Sequence, residues 1–109
     1  MILNTKSPST FITKVSTVSK QSNKIVSTKL KVVLKDGFFY VTRRNRDSKW
    51  YSNLLSNNYA EIEVDGQQIK TIAEEMVDEK EKKEVSAIKY NDKRMHDNRF
   101  GFKLTVKEG

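Results

Sequence analysis

Residues 25–44 read IVSTKLKVVLKDGFFYVTRR. The even positions Val26, Thr28, Leu30, Val32 and Leu34 are mostly apolar, and Lys29, Lys31 and Lys35 fall between them. A period of two of this kind turns one face of a strand inward and leaves the other to solvent. Asp36-Gly37 breaks the run with residues that tolerate positive φ, the requirement of a two-residue hairpin turn, so FFYVTRR is expected to return antiparallel on the first strand.

The same grammar recurs downstream. Ala60, Ile62 and Val64 alternate with Glu61 and Glu63, Asp65-Gly66 supplies a second hairpin signal, and QQIKTIAEEMV (67–77) is the returning strand. Phe100, Phe102, Leu104 and Val106 alternate cleanly and are expected to close the sheet. Upstream, STFITKVSTVSK (9–20) is rich in β-branched residues and runs into the turn QSNK (21–24). Two segments carry helical spacing instead. With Ser48 as N-cap, Trp50 and Leu54 share a face over 48–56, Tyr51 and Leu55 lie beside them, and Asn57-Asn58 ends the helix. From Asp78 to about Tyr90, Asp78 and Glu81 have capping-box spacing and Val85 and Ile88 share a face. The pattern predicts one domain over 1–109, mainly β, a six-stranded antiparallel split barrel with two short helices.

Composition sets the boundaries of function. The chain has 109 residues, 36% of them apolar and 32% charged, a length suited to one core. It has no cysteine, which excludes disulfides, thiolate metal sites and cysteine nucleophiles. With 21 Lys and Arg against 14 Asp and Glu the net charge is +7, which favours an anionic partner. No window has the apolar length of a membrane span and the first residues lack a signal-peptide core, so a cytoplasmic protein without membrane contact is expected. Paired carboxylates, a nucleophile with its base, and metal-spaced clusters are absent as local motifs, and His96 stands alone in a polar loop. Phe38, Phe39 and Tyr40 give one strand two apolar faces, which leads to the expectation of a homodimer with one face inside the barrel and the other against a partner.

Trp50, Tyr51, Asn53, Leu54 and Asn57, followed by the strand and turn Glu61 to Gly66, resemble the deazaflavin-dependent nitroreductase family, relatives of the flavin-binding split barrels of the pyridoxamine-phosphate-oxidase type. The turn SKQSNK (19–24) is similar to that family's basic Gly-Arg-Lys-Ser-Gly-Lys turn, with Lys20, Ser22 and Lys24 in the basic and serine positions and Ser27-Thr28 as the following hydroxyl pair. Ser19 and Asn23 replace the two glycines, Val26 an arginine and Lys29 a proline.

The resemblance implies a homodimeric oxidoreductase. Its cofactor, a deazaflavin of the coenzyme F420 type or, as second choice, flavin mononucleotide, would lie in a groove at the barrel edge and reduce a small oxidised substrate. The cofactor-binding residues it implies are Lys20, Ser22, Lys24, Thr28, Arg43, Lys49, Trp50, Tyr51 and Asn53, with Arg44 and Arg46 as further phosphate partners. Tyr90 and Arg99 are its weaker candidates near the reacting centre. The residues alone leave two alternatives open: a basic nucleic-acid-binding barrel, since aromatics stand beside basic residues in FFYVTRRNR, and a split barrel that keeps the fold in a structural role without its cofactor.

Overall fold

In the computed structural model, which describes residues 9–43, 47–89 and 100–107, both Asp-Gly pairs form the expected turns. Asp36 (φ 54°) and Gly37 (φ 83°), and likewise Asp65 (φ 51°) and Gly66 (φ 80°), put two successive residues at positive φ. That geometry matches the right-handed twist of flanking strands. The first turn joins β2 (Ile25–Lys35) to β3 (Phe38–Arg43), and the second joins β4 (Tyr59–Val64) to β5 (Gln67–Glu75). With β1 (Ser9–Val18) and β6 (Phe100–Val106), these strands form a closed antiparallel barrel in the order β1-β2-β3-β6-β5-β4, β4 pairing back onto β1. The helices are α1 (Lys49–Ser56), between β3 and β4, and α2 (Glu79–Lys89), between β5 and β6. Tyr90, His96 and Arg99, and the cations Arg44 and Arg46, lie outside the described residues.

The inward positions make one cluster. Val15, Val32, Leu34, Phe39, Ile62 and Leu104 are essentially inaccessible, and Trp50, Tyr51 and Leu54 of α1 join them. Tyr51 packs on Phe102 with ring centroids 4.6 Å apart. Gly101 on β6 has a packing reason: an added Cβ would overlap the Val41 carbonyl oxygen and come 2.9 Å from Met76 Cε. Gly101→Ala is expected to destabilise the fold by about 1–3 kcal/mol, the usual cost of forcing an extra carbon into a packed site. A urea midpoint equal to the parent's would refute this.

The outer face of the first hairpin departs from the sequence expectation. Val33 and Tyr40, whose side chains point away from the barrel interior, are buried beneath α2 with Met76 and Val85, and Phe38 and Ile88 pack at the margin. The second apolar face of Phe38-Phe39-Tyr40 is therefore covered by the chain's own helix, and any partner has to use another surface. The apolar run Val32-Val33-Leu34 carries the signature of this burial on both sides.

Polar contacts fix α2. Asp78 caps it, accepting a hydrogen bond on Oδ1 from Lys80 N at 2.9 Å. Lys35 Nζ meets Glu84 Oε2 at 2.9 Å. In the last turn Lys89 Nζ donates to the Thr42 carbonyl at 3.0 Å and to Thr42 Oγ1 at 3.1 Å.

The hydrogen bond from Lys35 holds the Glu84 carboxyl below the usual glutamate range, and the same bond raises Lys35. The stability this pair adds is complete above the unfolded glutamate range and is lost as pH falls through the lowered folded value; at the other end it is lost as pH rises through the raised lysine value. Glu84→Gln should therefore narrow its gap to the parent as the solution is acidified, read as Tm against pH. A gap that stays constant into acid would contradict the pairing.

Candidate functional site

Pairing between β2 and β3 stops early. It runs Lys35↔Phe38, Leu34↔Phe39, Val33↔Tyr40 and no further, whereas β3 continues along β6 as far as Arg43↔Phe100. The first half of β2 stays attached to β1 through Ile25↔Val18 and its neighbours. The barrel wall thus splits between β2 and β3, exposing a strip of β2 that faces inward.

A cleft of about 570 Å³ occupies the split. That size falls within the range of small-molecule and cofactor sites. Val26, Thr28 and Leu30 form its floor, the turn after β1 forms one end, and the first turns of α1 form the facing wall. Val26 is 43% exposed, an apolar side chain left uncovered on the floor. Lys20, Lys29, Arg43 and Lys49 line the cleft, and among the described residues no Asp or Glu does. These four cations favour an anionic occupant, and the walls reduce screening by water.

The turn that ends the cleft keeps its shape without glycine. Asn23 adopts φ 59°, the left-handed region in which Asn is among the few tolerated side chains. Backbone bonds Ser19 N to Lys24 O (2.8 Å) and Asn23 N to Ser19 O (2.9 Å) close the turn. Asn53 ties it to α1: its Oδ1 accepts from Lys20 N at 3.0 Å, and its Nδ2 donates to Thr17 Oγ1 at 3.1 Å. A buried amide on a packed helix needs such partners, and this one clamps the lysine-bearing turn against the helix start. Asn53→Leu should leave the Lys20 amide and Thr17 unpaired, costing about 1–3 kcal/mol. Amide exchange at Lys20 should rise with it, and unchanged exchange would remove the clamp.

Six of the residues named from the sequence converge on the cleft: Lys20, Thr28, Arg43, Lys49, Trp50 and Asn53. Three do not line it. Ser22 accepts a hydrogen bond on Oγ from Lys24 N at 3.3 Å, and both residues lie in the turn without lining the cleft. Tyr51 is completely buried in the barrel core, where its hydroxyl donates to Glu75 Oε2. A step of about 100° around the helix separates the roles of two adjacent aromatics: Trp50 reaches the cleft wall and Tyr51 the interior.

Ser48 and Ser52 also line the cleft and were not singled out from the sequence as ligand contacts. Ser48 has the extended backbone of an N-cap (φ −72°, ψ 149°), yet its side chain makes no capping hydrogen bond. Its Oγ is buried without a partner, and so is Trp50 Nε1. Among the described residues no group of His, Cys, Asp and Glu is arranged to hold a metal, and no helix is long and apolar enough to cross a membrane.

No family profile matches the sequence, and no curated protein matches it significantly. Solved structures do match in fold. A protein assigned to 5-nitroimidazole antibiotic resistance from Bacteroides thetaiotaomicron superposes with a TM-score of 0.69 at 11% identity, covering 99% of this chain and 83% of that one. An F420-H2 dependent reductase superposes at 0.66 and 15% identity over 95% of this chain and 99% of its own. A domain-swapped dimer superposes at 0.68 and 15% identity, over 94% and 84% respectively. The six-stranded barrel is thus the split-barrel fold of the F420-dependent reductases and nitroimidazole resistance proteins, carried by a divergent sequence.

Proposed function

We propose that this split barrel is a cofactor-dependent oxidoreductase, whose cleft between β2 and α1 holds a phosphorylated deazaflavin, with flavin mononucleotide as the second choice. The observation that carries the reading is the cleft's composition: among the described residues, four cations and no carboxylate surround an apolar and hydroxyl floor. A flat heteroaromatic ring would rest on Val26, Thr28 and Leu30, and an anionic tail would extend toward Lys20 and Lys49. F420-H2 dependent reduction by a protein of the same fold supports this choice over a generic basic surface.

When bound, such a cofactor supplies the hydride for reducing a small oxidised substrate, so the protein's task is placement. Trp50 shields one wall, Arg43 and Lys49 balance the cofactor's charge, and Asn53 holds the Lys20 turn at the correct distance from the helix. The chain acts as a homodimer in this reading, supported by the domain-swapped dimer among its structural relatives.

The test is visible absorption of protein incubated with deazaflavin or with flavin mononucleotide and then filtered to remove free cofactor. Retained deazaflavin colour is the expected result. Salt-sensitive retention of oligonucleotide without colour would replace this reading with the nucleic-acid one. Retention of neither would leave a barrel that serves without a cofactor.

A further inference from the structure

We propose that Lys89, in the last turn of α2, is a positioning residue for the cleft: its ammonium takes the place of the strand partner that β3 loses where β2 departs, and so fixes Arg43 at the cleft wall. Naming the occupant of the cleft rests on the reading given above. The hold on β3 rests on the hydrogen-bond pattern alone.

The Gly101 carbonyl on β6 accepts from Met76 N at 2.9 Å, on the β5 side. A residue in an antiparallel strand turns its N–H and C=O to the same side, so Gly101 exchanges no bond with Thr42, its opposite number on β3. Thr42 therefore directs its carbonyl to the other side, along which β2 would run. Continued past Val33↔Tyr40, the β2–β3 register would set Lys31 against Thr42, but pairing ends before that point. Lys89 Nζ fills the place instead, 3.0 Å from the Thr42 carbonyl oxygen and 3.1 Å from Thr42 Oγ1.

Burial makes this a costly way to pack a helix. Lys89 is only 8% exposed, and a buried ammonium is tolerated only where acceptors meet it. An apolar side chain would seat α2 on the strands without that cost. What the ammonium adds is a donor that reaches from the helix to a carbonyl at the edge of the split. That carbonyl belongs to the peptide joining Thr42 to Arg43, and Arg43 is the next residue on the inward side of β3 after the buried Val41. Arg43 lines the cleft. Beyond Tyr40, β3 is paired with β6 on one side and not with β2 on the other, so the contact from α2 supplies a second support and sets where Arg43 stands.

Two measurements on the ligand-free protein read the hold directly. Lys89→Met keeps the aliphatic stem and removes the donors. Amide exchange at Arg43, relative to that at Ile62 on β4, should rise by about tenfold, the loss of one hydrogen bond from a charged group. In the parent, NMR should detect a scalar coupling between Lys89 Nζ and the Thr42 carbonyl carbon, a measurement that needs no substitution. A third measurement reads the consequence for binding. Lys89→Met should weaken deazaflavin binding by about tenfold when Arg43 is present and by less than about twofold in an Arg43→Ala background, since residues that act through one another are not additive. A charge felt only at a distance would give the same factor in both backgrounds.

An Arg43-to-Ile62 exchange ratio that is the same in parent and Lys89→Met, or the absence of the coupling in the parent, would overturn the hold on β3. A loss of deazaflavin affinity equal in both backgrounds, or no loss in either, would overturn the positioning of Arg43 while leaving the oxidoreductase reading in place. Exchange and coupling as expected in a parent that retains no deazaflavin would uphold the role of Lys89 and remove the cofactor reading instead.

Discussion

Replacing Trp50 with alanine is expected to lower the unfolding free energy by about 3–5 kcal/mol, the range for deleting a large aromatic from a core. Trp50 is 5% exposed, belongs to the barrel's interior cluster, and lies 5.5 Å from the Tyr51 ring, centroid to centroid. Its removal would open a void where α1 meets the strands, a site with little freedom to collapse because strands fix one side. Single domains have a margin of only about 5–15 kcal/mol, so the variant should unfold at distinctly lower urea. Leu55 on the same helix is 52% exposed, and Leu55→Ala should change stability by less than about 0.5 kcal/mol. Equal urea shifts for the two variants would show that α1 does not pack as described.

The second large effect concerns binding. Changing Lys20 and Lys49 together to alanine is expected to weaken deazaflavin binding by about 10²–10⁴-fold, taking each charged hydrogen bond at about 1.5–3 kcal/mol. The two cations approach the cleft from different elements, Lys20 from the turn after β1 and Lys49 from the start of α1. Both side chains are exposed, so the urea midpoint should barely move. Raising the salt concentration should weaken the parent's binding more steeply than the variant's, since fewer screened contacts remain. Lys24→Ala, which falls outside the cleft lining, should bind within about twofold of the parent, less than the effect of one weak hydrogen bond. An equal loss from Lys24→Ala would move the anion site out of the cleft and onto the turn.

The strands, the two hairpin pairings and both helix starts were legible in the sequence because their causes are local. Alternation along 26–34, 60–64 and 100–106 needs only neighbouring residues, and each Asp-Gly pair sets positive φ angles that the flanking chain has to follow. Ser48 and Asp78 were readable as helix starts for the same reason, although only Asp78 uses its side chain as a cap. The basic turn was readable as well, whereas the left-handed conformation of Asn23, where the resembling family has glycine, came from the structure.

What the tertiary structure alone decided are the matters that depend on segments distant in sequence. Alternation shows that Phe38, Phe39 and Tyr40 have two apolar sides, but it cannot say what covers the second side. Here α2, more than 35 residues further along, does so. Helical spacing puts Trp50 and Tyr51 side by side, and only the position of β6 sends Tyr51 into the interior against Phe102 while Trp50 remains at the cleft wall. The cleft exists because β3 leaves β2 to follow β6, a choice among competing strand partners that no single strand records. Ser48 Oγ and Trp50 Nε1, buried without a partner, likewise leave no mark in a pattern read along the chain, because burial and pairing are set by segments distant in sequence.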